Sequence, residues 1–468
     1  MLFFNLSLSI SQVPHQWKEG YITPVYKKSS RNSASNYRPI SLTSTLSRLL
    51  EKIICNILIS HLSSHNLISS SQHGFLPHRS SSTQLLGALQ DWINGYNNEK
   101  QTSAVYTDIS KAFDTVSHPK LLEVIKSYGI GQQLYKWIES FITNRKQFVR
   151  INESFSNPMP VLSGIPQGSV IGPLLFLLYM DDVTKVVSKL TTVSLFADDA
   201  KFYSHDSEDL QASLNNVCLF FETRQLTLAK EKCEHIFFGK IKETVDFSLS
   251  GQTISQTSLI KDLGVFISSD LKWESHTNHL KLRASQRCYL ILRSFSSKNV
   301  WTLLQTFKTF VRPILEYGSV IWSSNCSKDI RSIEGVQRYF TRKIFRRCGI
   351  PYSSYADRLH KLNLKTLEYR RKEFDIIMVY KIVHNLVDVP FCKYFKFYST
   401  PYSTRRHKYC LERVKCGSNH EQSFFSNRTI PAWNELPHRI VECETLESFT
   451  RSLKQFDLAT ICKFLRFD

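Results

Sequence analysis

The chain is 468 residues long with 42% hydrophobic and 12% aromatic content, which is ample for packed cores and excludes a disordered tail. Its formal charge of +20 is lopsided: residues 1–240 carry 23 Lys+Arg against 19 Asp+Glu, and residues 241–468 carry 37 against 21. An excess of that size suits a polyphosphate partner, the plainer alternative being a basic surface kept for solubility.

In chain order, residues 1–10 (MLFFNLSLSI) are apolar but have no basic flank, no small-residue cleavage site and too little length to span a bilayer. They read as the middle of a helix, as expected of a chain that begins inside a larger ancestral protein. Serine-rich stretches at 29–35, 63–71 and 80–82 read as loops, around a strand at 21–26 (YITPVY) and an apolar-faced helix over Leu46–Leu62. Ser103–Ile109 is β-rich, and Pro119 opens a helix with Leu121, Leu122, Ile125 and Tyr128 at helical spacing, stopped by Gly129. After the glycines between Gly164 and Gly172, Pro173 opens a second apolar helix. Two apolar runs, TTVSLF and KFY, then flank the four residues ADDA, which predicts a hairpin with acids at its tip. From about residue 271 the chain turns to long segments rich in Arg, Lys, Leu and aromatics (278–295, 329–347 and 357–386), and this half is expected to be mainly helical.

The 11 cysteines are scattered without a CxxC, which argues against a disulfide scaffold and for reduced, intracellular thiols. Cys410, Cys416 and His420 come nearest to metal-ligand spacing but match no zinc pattern.

Two acid pairs compete for a chemical role. Nucleotidyl transfer builds charge on the attacking and leaving oxygens, and two Mg²⁺ ions can clamp both while taking only one or two protein carboxylates each. Asp108 ends a β-rich run, and Asp198–Asp199 tip the predicted hairpin 90 positions later, where adjacent strands of one sheet could bring them together. Taken alone, such aspartates are ordinarily turn chemistry. The rival pair, Asp181–Asp182 in Tyr-Met-Asp-Asp, follows the unbroken helical run begun by Pro173, and no returning strand comes after it.

Ordered blocks run along the chain beside these acids. They begin with Trp17-Lys18, Ile22, Pro24 and Lys27-Lys28, followed by Asn36-Tyr37-Arg38-Pro39-Ile40-Ser41-Leu42. Gln72-His73-Gly74-Phe75 comes next with Arg79, Ser82 and Thr83, then the run Tyr106–His118, then Gly164-Ile165-Pro166-Gln167-Gly168-Ser169 through Phe176. Phe196-Ala197-Asp198-Asp199, Leu226-Thr227-Leu228 with Lys230 and Lys232, and Leu263-Gly264-Val265 with Trp273 and His276 complete the first 276 residues. Further blocks stand at Leu315–Gly318, Ile333–Arg338 and Phe424–Pro437. In this order they resemble the reverse transcriptases of non-long-terminal-repeat retrotransposons, the jockey-like branch most of all.

That resemblance implies an α+β right-hand polymerase, with fingers and a ferredoxin-like palm (an antiparallel sheet with helices) over residues 8–270 and a helical thumb and basic C-terminal region over 271–468. It makes Asp108, Asp198 and Asp199 catalytic metal ligands, joined by the backbone carbonyl of Ile109. Two Mg²⁺ ions, or Mn²⁺ in their place, would be the cofactors. Lys28 (or Lys27) and Arg38 would grip the triphosphate, Gln167 would touch the incoming nucleotide, and Phe113 would abut its sugar and exclude a 2′-hydroxyl. Lys232 would protonate the leaving pyrophosphate, whereas Asp114 is read as structural. The implied partners are an RNA template, a DNA primer and deoxynucleotides, with no membrane. Full-length relatives carry an upstream endonuclease, so this chain is expected to need one supplied separately. A non-catalytic RNA-binding remnant is the alternative outside enzymes. An RNA-dependent RNA polymerase is the alternative within them, against which Phe113 and Ala197 speak.

Overall fold

In the computed structural model the described residues are 2–27, 30–398 and 407–465. They form two compact units that interleave along the chain. Met1–Ser80, Ser103–His235 and Glu243–Gln256 make the first, and Ser81–Thr102, Ile236–Lys242 and Thr257–Asp468 the second.

In the first unit, the strand Thr102–Thr107 pairs antiparallel with Asp199–Ser204, which in turn pairs antiparallel with Thr192–Phe196. Val105, Val193, Leu195 and Phe202 are buried in these strands. The helix Gly172–Asp181 is buried at every position but Pro173, as an apolar helix without a polar face must be. The helix Ser207–Thr223 buries Leu210, Leu214, Val217 and Phe221 at three- and four-residue spacing, and the Asp206 carboxylate caps its start by accepting the Glu208 and Asp209 N–H groups at 3.0 Å each. A second sheet sets Glu19–Tyr26 antiparallel to Tyr37–Leu42 and parallel to Arg145–Ile151. The helix Thr45–Ser64 buries Leu50, Ile54, Leu58 and Leu62, every fourth residue.

The second unit is mainly helical. Glu274–Ser294 and Ser327–Arg347 lie side by side and parallel: Thr277 Oγ1 donates to Asp329 at 3.3 Å near their starts, and Arg347 Nη1 donates to the Phe295 carbonyl at 2.7 Å near their ends. A hairpin pairs Leu259–Asp262 with Val265–Ser268 through a turn in which Leu263 (φ +44°) and Gly264 (φ +88°) both take positive φ. That is the geometry of a tight primed turn, and a Cβ on Gly264 would come within 3.0 Å of the Tyr317 ring. A buried ion pair, Arg428 to Asp375 at 2.8 Å, ties the helix Phe425–Asn434 to Leu367–Val383.

Three local expectations change. The segment 357–386 is two helices, Tyr355–Lys361 and Leu367–Val383, because Asn363 turns the chain with φ +47° and the Thr366 hydroxyl caps the restart by accepting the Tyr369 N–H. Ser81 and Ser82 are not loop but open the helix Ser81–Asn97. The acid-tipped hairpin turns in two residues, not four. The 11 cysteines are free thiols, and no helix among the described residues is long and apolar enough to cross a membrane.

Candidate active site

The hairpin register ends at Phe196↔Asp199, which leaves Ala197 and Asp198 as the turn. A two-residue turn needs positive φ at its first position, and Ala197 adopts φ +57°, a conformation costing a Cβ-bearing residue roughly 1 kcal/mol. Gln72 stabilises it: the fully buried side chain accepts the Ala197 N–H at 3.0 Å and the Gly74 N–H at 2.8 Å through Oε1. The backbone adds a parallel bridge, Gln72↔Leu195, with His73 N–H to the Leu195 carbonyl at 2.9 Å. Gly74 is needed at this contact, because a Cβ there would lie 2.5 Å from the Ala197 nitrogen. The block around Gln72 thus has a structural role that its composition did not disclose.

Sheet register brings the first acid alongside. Thr107 pairs with Ala200, so Asp108, one residue on, comes level with Asp199. Asp108 and Asp198 feel each other: burial first, and then the Asp108 charge, push the Asp198 carboxyl above its ordinary range, while Arg38 and Lys27 pull it back. Arg38 and Lys27 belong to the two strands of the second sheet and its turn, so the fold brings cations from one sheet toward acids on the other. Lys28 lies outside the described residues.

Asp108 Oδ2 meets the Lys232 ammonium at 3.0 Å, and this contact raises the lysine's pKa. Behind the pair, the Ala229 N–H donates to the Asp108 carbonyl and the Ser110 N–H to the Thr227 carbonyl, both at 2.8 Å, around an antiparallel bridge between Ile109 and Leu228. Hydrogen bonds flanking a bridged pair mark it as the wide kind, so the carbonyl of buried Ile109 is turned away from Leu228.

Phe113 is half-buried and stacks on Phe176, centroids 4.5 Å apart and 22° between planes. Gln167 donates its amide to Asp114 Oδ1 at 2.8 Å, so the acid read as structural fixes a side chain expected to meet substrate. Gly164 and Gly168 permit this approach, since a Cβ on either would lie 2.7 Å from the Asp114 carbonyl oxygen or 2.3 Å from that of Ser41.

The rival acids have other work. Asp181 is buried at the end of its helix, accepts the Ser69 N–H at 3.0 Å, and is pushed up to about 6 by burial. Asp182 pairs with Arg224 at 2.6 Å and Lys185 at 2.8 Å. Both serve to tie loops to the helix end.

The oxygen donors around Asp108 and Asp198 suit a hard divalent cation. Among the described residues no group of three or more His, Cys, Asp or Glu is arranged to hold a metal, Cys410, Cys416 and His420 included. A site of two carboxylates and a carbonyl fits Mg²⁺, which takes most of its remaining ligands from water and phosphate.

The molecule is therefore an α+β protein whose first unit gathers carboxylates and cations as a phosphate-transfer centre requires. The profile of the family described as "Reverse transcriptase (RNA-dependent DNA polymerase)" matches residues 25–267, more than half of the chain, and the chain belongs to that family. That family works with divalent metal ions. Similar proteins include the RNA-directed DNA polymerase of the Drosophila melanogaster mobile element jockey, 25% identical over 396 residues, covering 78% of this chain and 43% of that protein. The probable RNA-directed DNA polymerase of transposon BS from the same organism is 28% identical over 388 residues, 78% of this chain and 42% of that protein. That of the X-element is 27% identical over 358 residues, 73% and 39%. The chain spans about two fifths of the length of these relatives. Among solved structures, apo telomerase from Candida tropicalis superposes with a TM-score of 0.45 at 11% identity over 79% of this chain and 67% of that one, a likeness too loose to carry weight.

Proposed function

We propose that the chain is the RNA-directed DNA polymerase part of a mobile element, adding deoxynucleotides to the 3′-hydroxyl of a DNA primer paired with an RNA template. The observation that carries this reading is the meeting of Asp108 and Asp198 across adjacent strands, faced by Arg38 and Lys27, in a chain of the reverse transcriptase family.

Asp108, Asp198, Asp199 and the Ile109 carbonyl would hold two Mg²⁺ ions, with Mn²⁺ able to substitute; once bound, these ions neutralise charge on the attacking and leaving oxygens. Arg38 with Lys27 or Lys28 draws in the triphosphate. Phe113, propped from behind by Phe176, lies under the sugar and leaves no room for a 2′-hydroxyl. Gln167, held by Asp114, lines the nucleotide's place. The primer 3′-oxygen gives up its proton to water and bonds to the α-phosphorus. The bond from that phosphorus to the α–β bridging oxygen breaks, and Lys232 supplies a proton to the departing pyrophosphate. Positioning and charge stabilisation carry the rate. By role, we divide the chain into fingers and palm over 8–270 and thumb with basic C-terminal region over 271–468. An endonuclease acting on target DNA would be a separate activity.

The test is primer extension on RNA and DNA templates with deoxy- and ribonucleotides, comparing wild type with Asp198→Ala. The variant is expected to lose activity by roughly a thousandfold or more. Full activity in Asp198→Ala overturns the site; preferred use of ribonucleotides overturns the product; and a wild type that binds RNA with steep salt dependence but never extends a primer makes the chain a binding remnant.

A further inference from the structure

Glu51 is fully buried on the helix Thr45–Ser64, and its carboxylate reaches the start of another element. Oε2 accepts the Val170 N–H at 2.6 Å and the Ile171 N–H at 3.3 Å, from residues 119 and 120 positions away, and Oε1 accepts the Ser47 hydroxyl at 2.8 Å. Val170 and Ile171 stand immediately before Gly172–Asp181, the helix that carries Phe176. The next N–H, of Gly172, goes to Ser169 Oγ at 3.1 Å. Burial lowers the pKa of Arg145 to about 10, and the Glu51 charge works against that fall.

A helix start ordinarily finds its acceptor in its own N-cap side chain. Here that position is Ile171, which has none to offer. A local Ser or Asp would satisfy the same N–H groups without the cost of taking a carboxylate on a distant helix fully out of water. What a remote acceptor adds is position: it fixes where Gly172–Asp181 begins relative to Thr45–Ser64. The same stretch of chain makes a second grip, since the Ser41 N–H donates to the Gln167 carbonyl at 2.7 Å, and it carries Arg38 on the strand Tyr37–Leu42. Residues 38–51 thus hold in one run a cation proposed for the triphosphate, a clamp on the Gln167 loop and the anchor of the helix behind Phe113. At the other end of that loop, His118 Nε2 lies 2.8 Å from the Gly164 carbonyl, and the Ile165 N–H donates to the Phe113 carbonyl at 2.8 Å. Gly172–Asp181 is buried at every position but Pro173, so a shift at its start carries along Phe176, about 6 Å further on, and moves the ring stacked on Phe113.

We propose that Glu51 is a positioning residue of the nucleotide site: by anchoring the start of Gly172–Asp181 it sets the place of Phe176, Phe113 and the Gln167 loop, and so governs nucleotide affinity and the choice of sugar. The proposal rests on the polymerase reading and adds to it a residue that acts without touching substrate.

The experiment is steady-state primer extension by the full chain on a primed RNA template, with deoxy- and ribonucleotides titrated separately, for wild type, Glu51→Leu and Glu51→Gln. Leucine removes both acceptor oxygens, whereas glutamine keeps one for the two N–H groups. Glu51→Leu is expected to raise the deoxynucleotide KM roughly tenfold and to narrow the preference for deoxynucleotides by a similar factor, with kcat within about threefold of wild type and primer–template affinity unchanged. Glu51→Gln is expected to restore most of the KM. A cap with no positioning role would lower the Tm of Glu51→Leu and leave the KM and sugar preference of the folded enzyme at wild type, and that result overturns the proposal. So does a Glu51→Gln enzyme no better than Glu51→Leu. Should Glu51→Leu fail to fold, Glu51→Asp, which draws the carboxylate back by one methylene, decides by the same two readouts, and unchanged values overturn the proposal. Failure of the polymerase reading looks different: wild type itself then extends no primer, and the role of Glu51 falls with it. A wild type that extends, beside an inactive Asp198→Ala, keeps that reading whatever the Glu51 variants do.

Discussion

Replacing Gln72 with leucine removes the acceptor that supports the acid-bearing turn while keeping nearly the same volume. Oε1 takes two N–H groups, from Ala197 at 3.0 Å and Gly74 at 2.8 Å, in a site fully closed to solvent. Each buried donor left without a partner costs about 1–3 kcal/mol. Gln72 Nε2 has no partner of its own, so deleting it offsets about 1 kcal/mol, and the net loss for the two donors is about 1–5 kcal/mol. The loss falls on a turn already holding Ala197 at φ +57°. If half of it is expressed as misplacement of Asp198, turnover falls by roughly two- to sixtyfold, since each 1.4 kcal/mol is a factor of ten. The assay is steady-state primer extension titrated with Mg²⁺. The expected result is a lower kcat and a higher Mg²⁺ requirement, with primer–template affinity unchanged. Gln72→Glu, which keeps an acceptor at the same place, should recover much of the loss. A Gln72→Leu enzyme that melts earlier yet turns over at the wild-type rate while folded would refute the reasoning, and so would a Gln72→Glu enzyme no better than Gln72→Leu.

Asp181→Asn should stabilise the protein at neutral pH. Burial raises the Asp181 pKa from 3.8 to about 6, so the favourable protonated form is fully present below about 4 and its contribution is lost as pH rises through 6, at a cost of up to about 3 kcal/mol by pH 7.5. Asparagine keeps an acceptor for the Ser69 N–H without the charge, so thermal melts should show a higher Tm at pH 7.5 and a gain that disappears near pH 4; a gain independent of pH would refute it. Asp375→Asn should destabilise by about 3–5 kcal/mol in urea titrations, because it leaves the Arg428 guanidinium, 2% exposed, without its charge partner. Phe113→Ala should let ribonucleotides compete in primer extension while deoxynucleotide use falls only a fewfold; an unchanged preference would show that the ring on Phe176 packs without gating the sugar.

Elements were legible in the sequence wherever apolar periodicity ran uninterrupted. Leu50, Ile54, Leu58 and Leu62 mark a helix face, and the runs around Asp198 mark a hairpin. Pairing between distant segments was not legible, because nothing in a local pattern specifies a partner. Gln72 is an ordinary loop glutamine until its Oε1 is seen beneath Ala197, and nothing in the sequence says that Asp114 holds the Gln167 amide. The break at Asn363 escaped because residues on both sides keep helical spacing, and only the positive φ and the Thr366 cap divide them. The two units escaped for the same reason: Ser81–Thr102 and Ile236–Lys242 are short segments that join the second unit by packing, with no change of composition at their ends.

The contrast between the two Asp-Asp pairs shows which local signal mattered. Both follow an apolar run, and by composition Tyr-Met-Asp-Asp is as plausible a site as Phe-Ala-Asp-Asp. What differs is the period and what comes next. Phe176 to Met180 continue a helix buried on all sides, so a carboxylate at its end must find protein donors, and Asp181 takes the Ser69 N–H while Asp182 takes Arg224 and Lys185. After Asp198, apolar Ala200, Phe202 and Tyr203 send the chain straight back as a strand, which leaves the acids at the tip of a hairpin. Asp199 is exposed there and Asp198 half-buried, with Asp108 supplied by the neighbouring strand. Arg224 and Lys185 already sit on the two oxygens of the Asp182 carboxylate, which leaves it no place for a metal ion.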